Sequence, residues 1–134
     1  MNTFNVALLQ LLSESNQPAN LKKGLEACRR AKRMGADLAL FPEMWNNGYK
    51  LSSNLREFEK GAVSKNDAFV LSFQRLAKEL DMAIGITFLE KYQPLPRNTL
   101  CVFDRFGSCV LTYSKVHTCD FDLERNLTAG DDFY

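Results

Sequence analysis

An α/β layered fold is predicted by three features of the sequence: short apolar runs recur along it, helix-spaced stretches separate the first three of them, and the last two runs flank a tight turn. Phe4 to Leu12 (FNVALLQLL) is apolar with few breaks and suits a buried strand, although its Leu-rich ends leave a helix open. Ser13 to Pro18 is a polar connection, with Asn16 or Ala19 near a helix start and Pro18 in the first turn. Leu21, Leu25, Cys28, Ala31 and Met34 then follow at spacings of four, three, three and three, which is helical, and Gly35 is a suitable stop. Asp37 to Phe41 is a second short buried strand, ended by Pro42.

Pro42 to Asn66 reads as loop, with a short helix around Asn54 to Lys60. From Asp67 the apolar positions Phe69, Val70, Phe73, Leu76, Ala77 and Leu80 keep helical spacing, and Asp67 or Asn66 can cap them. Met82 to Leu89 is a third buried strand and Lys91 to Pro96 a turn. Asn98 to Asp104 and Cys109 to Tyr113 are strands around the hairpin turn Arg105 to Ser108. The tail from Ser114 has no clear period. The chain is expected to stop inside a fold at Asp131-Asp132-Phe133-Tyr134.

The 134 residues suit one domain. Seventeen Lys and Arg against sixteen Asp and Glu leave a net charge of +1, which argues against a nucleic-acid or anionic-membrane partner. The basic cluster Lys22, Lys23, Arg29, Arg30, Lys32 and Arg33 is interleaved with apolar residues and reads as the wet face of a helix. Four Cys occur without a CxxC pair, and His117 is the single His, so no metal site is expected. No run approaches the roughly 20 apolar residues of a membrane span. Free thiols in a reducing cytoplasm are the expected setting.

Two segments can carry chemistry. In Leu40-Phe41-Pro42-Glu43 an acid follows the end of a strand, where open α/β sheets place their sites. The aromatic stretch after it, with Trp45 and Tyr49, either walls off water or simply packs. In Tyr113-Ser114-Lys115-Val116-His117 a cation follows a strand; it is either an exposed charge or a group set against a developing oxyanion. His117, two residues on, would share its side in an extended segment and could orient a neighbour. Spacing alone does not pair Glu43 with Lys115.

Taken in order, Val6-Ala7-Leu8-Leu9-Gln10, Leu40-Phe41-Pro42-Glu43-Met44 with Gly48-Tyr49, Asn98-Thr99, Tyr113-Ser114-Lys115-Val116-His117 and Thr128-Ala129-Gly130-Asp131 resemble the nitrilase superfamily of carbon–nitrogen hydrolases, over the N-terminal half of its domain. The resemblance implies an α-β-β-α sandwich, here incomplete, and a Glu-Lys-Cys triad acting on a small-molecule amide or nitrile, an amide before a nitrile, without a cofactor. By position Glu43 is the general base and Lys115 the charge that stabilises the tetrahedral intermediate. Glu124 and His117 are supporting candidates, and Trp45 and Tyr49 pocket candidates. The family's Cys lies several tens of residues beyond the Lys. Cys119 is too close and Cys101 and Cys109 precede the Lys, so no nucleophile is assigned and the chain alone is expected to be inactive. Three readings stay open: an enzyme fragment, a non-catalytic interaction module, and one half of a two-chain enzyme. A homo-oligomer or a missing C-terminal half is the expected partner, because half a sandwich leaves apolar strand faces open.

Overall fold

Five strands form one sheet in the order β1-β2-β3-β4-β5 in the computed structural model, which describes residues 3–119 and 122–133. They are β1 (Val6–Leu8), β2 (Leu38–Leu40), β3 (Ala83–Glu90), β4 (Arg97–Phe103) and β5 (Cys109–Ser114). The first three pair in parallel, and β3-β4-β5 form an antiparallel meander. The helices are α1 (Gln17–Arg33), α2 (Leu55–Lys60) and α3 (Ala68–Leu80). The tail holds a 3-10 turn at Asp122–Asn126, where the sequence showed no period; Tyr134 lies outside the described residues.

Local chemistry explains the boundaries. Asn16 caps α1 by accepting from the Ala19 N–H, and Pro18 sits in the first turn, where a missing N–H costs nothing. Gly35, at φ +86°, ends the helix in the left-handed region. Asn54 caps α2, and Asp67 caps α3 through the Phe69 N–H. At the hairpin, Asp104 Oδ1 accepts from the N–H groups of Phe106 and Ser108. Asp104 therefore belongs to the turn and not to β4, a correction to the expected strand end.

Helices α1 and α3 cover one sheet face. Ala39, Ile84, Ile86, Cys101 and Phe103 point into that layer and are buried. Phe41, Phe73 and Phe69 stack edge-on there, with ring centroids 5.0 Å and 5.4 Å apart. The alternate residues Leu38, Leu40, Leu100, Val102 and Leu111 are only half-buried. The expected buried strand over Phe4 to Leu12 is corrected on both counts. It is three residues long, and Val6 and Leu8 are 48% and 66% exposed. Among the described residues β1 pairs with β2 alone at the sheet edge, and no helix covers the exposed Val6 and Leu8.

Candidate active site

Glu43 is held by a tight turn anchored to β3. Phe41 N–H donates to the Gly85 carbonyl as the strand ends. The Thr87 hydroxyl then donates to the Pro42 carbonyl and accepts from the Trp45 N–H at 3.1 Å. The Met44 carbonyl receives the N–H groups of Asn47, Gly48 and Tyr49, with Met44, Gly48 and Tyr49 all at positive φ. Buried Asn46 ties this loop inward, donating to Gly61 O at 2.9 Å and accepting from Leu89 N at 2.8 Å. These bonds leave the Glu43 side chain, 45% exposed, at the edge of the open sheet face.

Lys115 follows β5 and keeps its ladder, its N–H donating to Asn98 O at 2.8 Å. On its other side the Gly130 N–H donates to Lys115 O at 2.9 Å. The tail thus pins the backbone at this point. Lys115 Nζ lies 3.0 Å from Glu43 Oε1 and 3.0 Å from Glu124 Oε1. Glu43, Thr87, Asn98, Tyr113 and Lys115 line a shallow cavity of about 250 Å³.

Glu124 is 3% exposed and has three described hydrogen-bond donors around it. It accepts from the Tyr49 hydroxyl, from Lys115 Nζ, and at Oε2 from the Cys119 N–H at 2.7 Å. Burial alone would raise the carboxyl, but these donors outweigh it and hold Glu124 down at about 2. Burial likewise works against the Lys115 ammonium, yet the hydrogen bonds it donates to Glu43 and Glu124 prevail and push its pKa up. The Tyr49 phenol is raised by burial, then by its bond to Glu124. The structure therefore draws Glu43, Lys115, Glu124 and Tyr49 into one network.

Two candidates stand elsewhere. Trp45 is 1% exposed, packs on Phe41 and donates from Nε1 to the Asn20 carbonyl at 3.0 Å. It is a core residue and not a pocket wall, because the turn at Met44 sends Glu43 and Trp45 to opposite sides. His117 is exposed and lies against Phe133, with centroids 6.0 Å apart; the chain bends after Lys115, so the two side chains do not share a side. Thr87 was not singled out, and Asn98 entered only as part of the Asn98-Thr99 segment, with no role given to it. Thr87 is the one hydroxyl in the apolar run of β3, and Asn98 is a buried amide at a strand start. Either oddity could have drawn attention.

Among the described residues no group of three His, Cys, Asp or Glu could hold a metal ion, and no helix is long and apolar enough to cross a membrane. The carbon-nitrogen hydrolase family model matches residues 5–132.

The chain belongs to the carbon–nitrogen hydrolase family.

This hydrolase-family chain is 30% identical over 143 residues to the chloroplastic omega-amidase of Arabidopsis thaliana, covering 98% of this chain and 38% of that protein. It is 26% identical to the N-carbamoylputrescine amidase of Oryza sativa, over 87% of this chain and 39% of the relative. Among solved structures, an amidase from Nesterenkonia sp. superposes with a TM-score of 0.81 at 21% identity, covering 96% of this chain and 49% of that one. The C. elegans NitFhit protein gives 0.80 at 17% identity, over 97% and 35%. The fold is thus nitrilase-like, and the chain spans half or less of the length of each of these proteins.

Proposed function

We propose that this chain carries the acid–base and cationic part of an amide-hydrolysing site. Glu43 is the general base and Lys115 the positive charge set against the tetrahedral intermediate. Glu124 and Tyr49 hold Lys115. The observation that supports this reading is the distance of 3.0 Å from Lys115 Nζ to each of two carboxylates, one of them 72 residues away. A cation between two acids from separate segments is fixed in place, which is what electrostatic stabilisation of a developing oxyanion needs.

In the proposed reaction Glu43 takes the proton of a Cys thiol as the sulfur attacks the amide carbon. Collapse breaks the C–N bond, and Glu43 returns that proton to the leaving amine or ammonia. Water, activated by the same carboxylate, then releases the acid from the thioester. The reaction needs no cofactor. Substrates are small amides, with ω-amides of dicarboxylates and N-carbamoyl amines the first to try, given what the relatives are called.

The thiol comes from outside these residues. Burial raises the Cys28 and Cys101 thiols to about 12 and about 11, and Cys109 lies on the hairpin. Cys119 is close to Glu124, but that carboxylate keeps its thiol protonated, the wrong direction for a nucleophile. Residues 1–134 act as a single incomplete domain in a reducing cytoplasm. The open apolar sheet face favours a covering partner, either the rest of the domain or a second chain, and keeps a purely binding role as the alternative reading.

Ammonia release from a panel of simple amides tests this. The chain alone is expected to release none. Supplied with a Cys-bearing partner half, it should turn over, and Glu43→Gln should abolish that turnover. Hydrolysis by the chain alone, lost on thiol alkylation, would overturn the assignment of the nucleophile.

A further inference from the structure

Glu43 and Lys115 lie 72 residues apart in the sequence, and one residue bonds to both. Asn98 is on β4, 7% exposed, paired with Leu89 of β3. Its side-chain Nδ2 donates to Glu43 Oε1. Its backbone carbonyl accepts the Lys115 N–H at 2.8 Å, one step beyond the last residue of β5. A sheet residue is far more rigid than a loop residue, so bonds made from β4 fix both partners to a common frame.

The choice of oxygen follows. Glu43 Oε1 accepts from Asn98 Nδ2 and from Lys115 Nζ together. Among the described residues no other donor reaches Glu43, and Oε2 takes no hydrogen bond from them. A carboxylate half-turn would otherwise exchange the two oxygens freely.

We infer that Asn98 is a positioning residue: it clamps Glu43 through Oε1 against Lys115 and leaves Oε2 as the oxygen that takes the thiol proton and returns it to the leaving amine. This deepens the reading of Glu43 and Lys115 as the acid–base and cationic pair, and it rests on that reading. An amide suits the task because it donates without titrating and adds no charge beside the acid.

The test reads Lys115 directly and needs no turnover. The chain is labelled with trace acetic anhydride across a pH series, and the acylation of each Lys is followed by mass spectrometry. Glu43→Gln removes one of the two charges that hold Lys115 protonated, and should make Lys115 roughly tenfold more reactive near neutral pH. Asn98→Leu keeps the size but loses the donor, frees Glu43 to swing away, and should raise Lys115 reactivity about threefold. Asn98→Ala serves if the Leu variant does not fold. The other lysines report that the fold is intact. If Glu43→Gln raises the rate while both Asn98 variants match the parent, the clamp is wrong and the Glu43–Lys115 pairing stands. If Glu43→Gln changes nothing, the pairing itself fails. In any preparation that hydrolyses amides, Asn98→Leu should lower kcat by about tenfold and leave KM within about twofold, since it disturbs the base and not the binding surface. A change confined to KM would overturn the clamp.

Discussion

The Tyr49 hydroxyl donates to the Glu124 carboxylate across 75 residues of chain, and so joins the loop after β2 to the 3-10 turn of the tail. Glu124 is buried, and a buried carboxylate without donors would sooner be neutral. Tyr49→Phe removes that donor and nothing else. It should cost about 1.5–3 kcal/mol, the range for a hydrogen bond to a charged group, read by urea unfolding at fixed protein concentration. The Glu124 titration should move up from about 2 in an NMR pH series.

Acid should weaken the chain through this same group. The folded carboxyl of Glu124 titrates at about 2, below its ordinary 4.5, so its contribution is fully present above 4.5 and is lost as pH falls toward 2. The difference corresponds to about 3 kcal/mol. Unfolding free energies at pH 6, 4 and 3 should fall in that window, and Glu124→Gln should flatten the slope. Lys115 has the opposite sign: its raised pKa contributes below the ordinary 10.5, and that contribution is lost only as pH rises beyond it.

Trp45→Ala should cost about 3–5 kcal/mol, because it opens a cavity and strands the Asn20 carbonyl. A loss under about 1 kcal/mol would show that the side chain is not in the core.

Gly24→Ala sets two effects against each other. Alanine in a helix interior gains about 1 kcal/mol over glycine. Its Cβ, however, would stand 2.8 Å from Trp45 Nε1 and 2.9 Å from Phe73 Cζ. Both neighbours are buried rings that cannot swing aside, so overpacking should win by about 1–3 kcal/mol. A variant that melts higher than the parent would reverse this.

The open sheet face should make the chain self-associate. Val6 and Leu8 are exposed on an edge strand beside half-buried Leu38 and Leu40. Sedimentation should give masses above 15.3 kDa that rise with concentration, and Leu8→Lys should shift them toward the monomer without lowering stability. A concentration-independent monomer would remove the case for a covering partner.

Much of the fold was legible in local chemistry. Asn16, Asp67 and Gly35 act at the ends of helices over which Leu21 to Ala31 and Phe69 to Leu80 keep their spacing, while Met34 caps the first and is exposed. Those signals lie within a few residues of what they control. The register of Phe4 to Leu12 was not legible, since an apolar run looks the same on an edge as in a sheet centre. Trp45 and Tyr49 looked alike as pocket aromatics. The positive φ at Met44 and the carbonyl of Asn20 separate them, sending one to the core and the other to Glu124.

The sequence by itself determined the α/β order, the helix caps, the hairpin and the family, because these depend on periodicity, turn chemistry and the succession of short motifs. Only the tertiary structure decided what each charge does. Glu43, Lys115 and Glu124 are each ordinary surface residues by local criteria. Their meeting depends on the β4–β5 pairing that carries Lys115 to Asn98, and on the return of the tail along Pro96 and Lys115. Such contacts are set by long-range packing, which residue spacing along the chain does not encode.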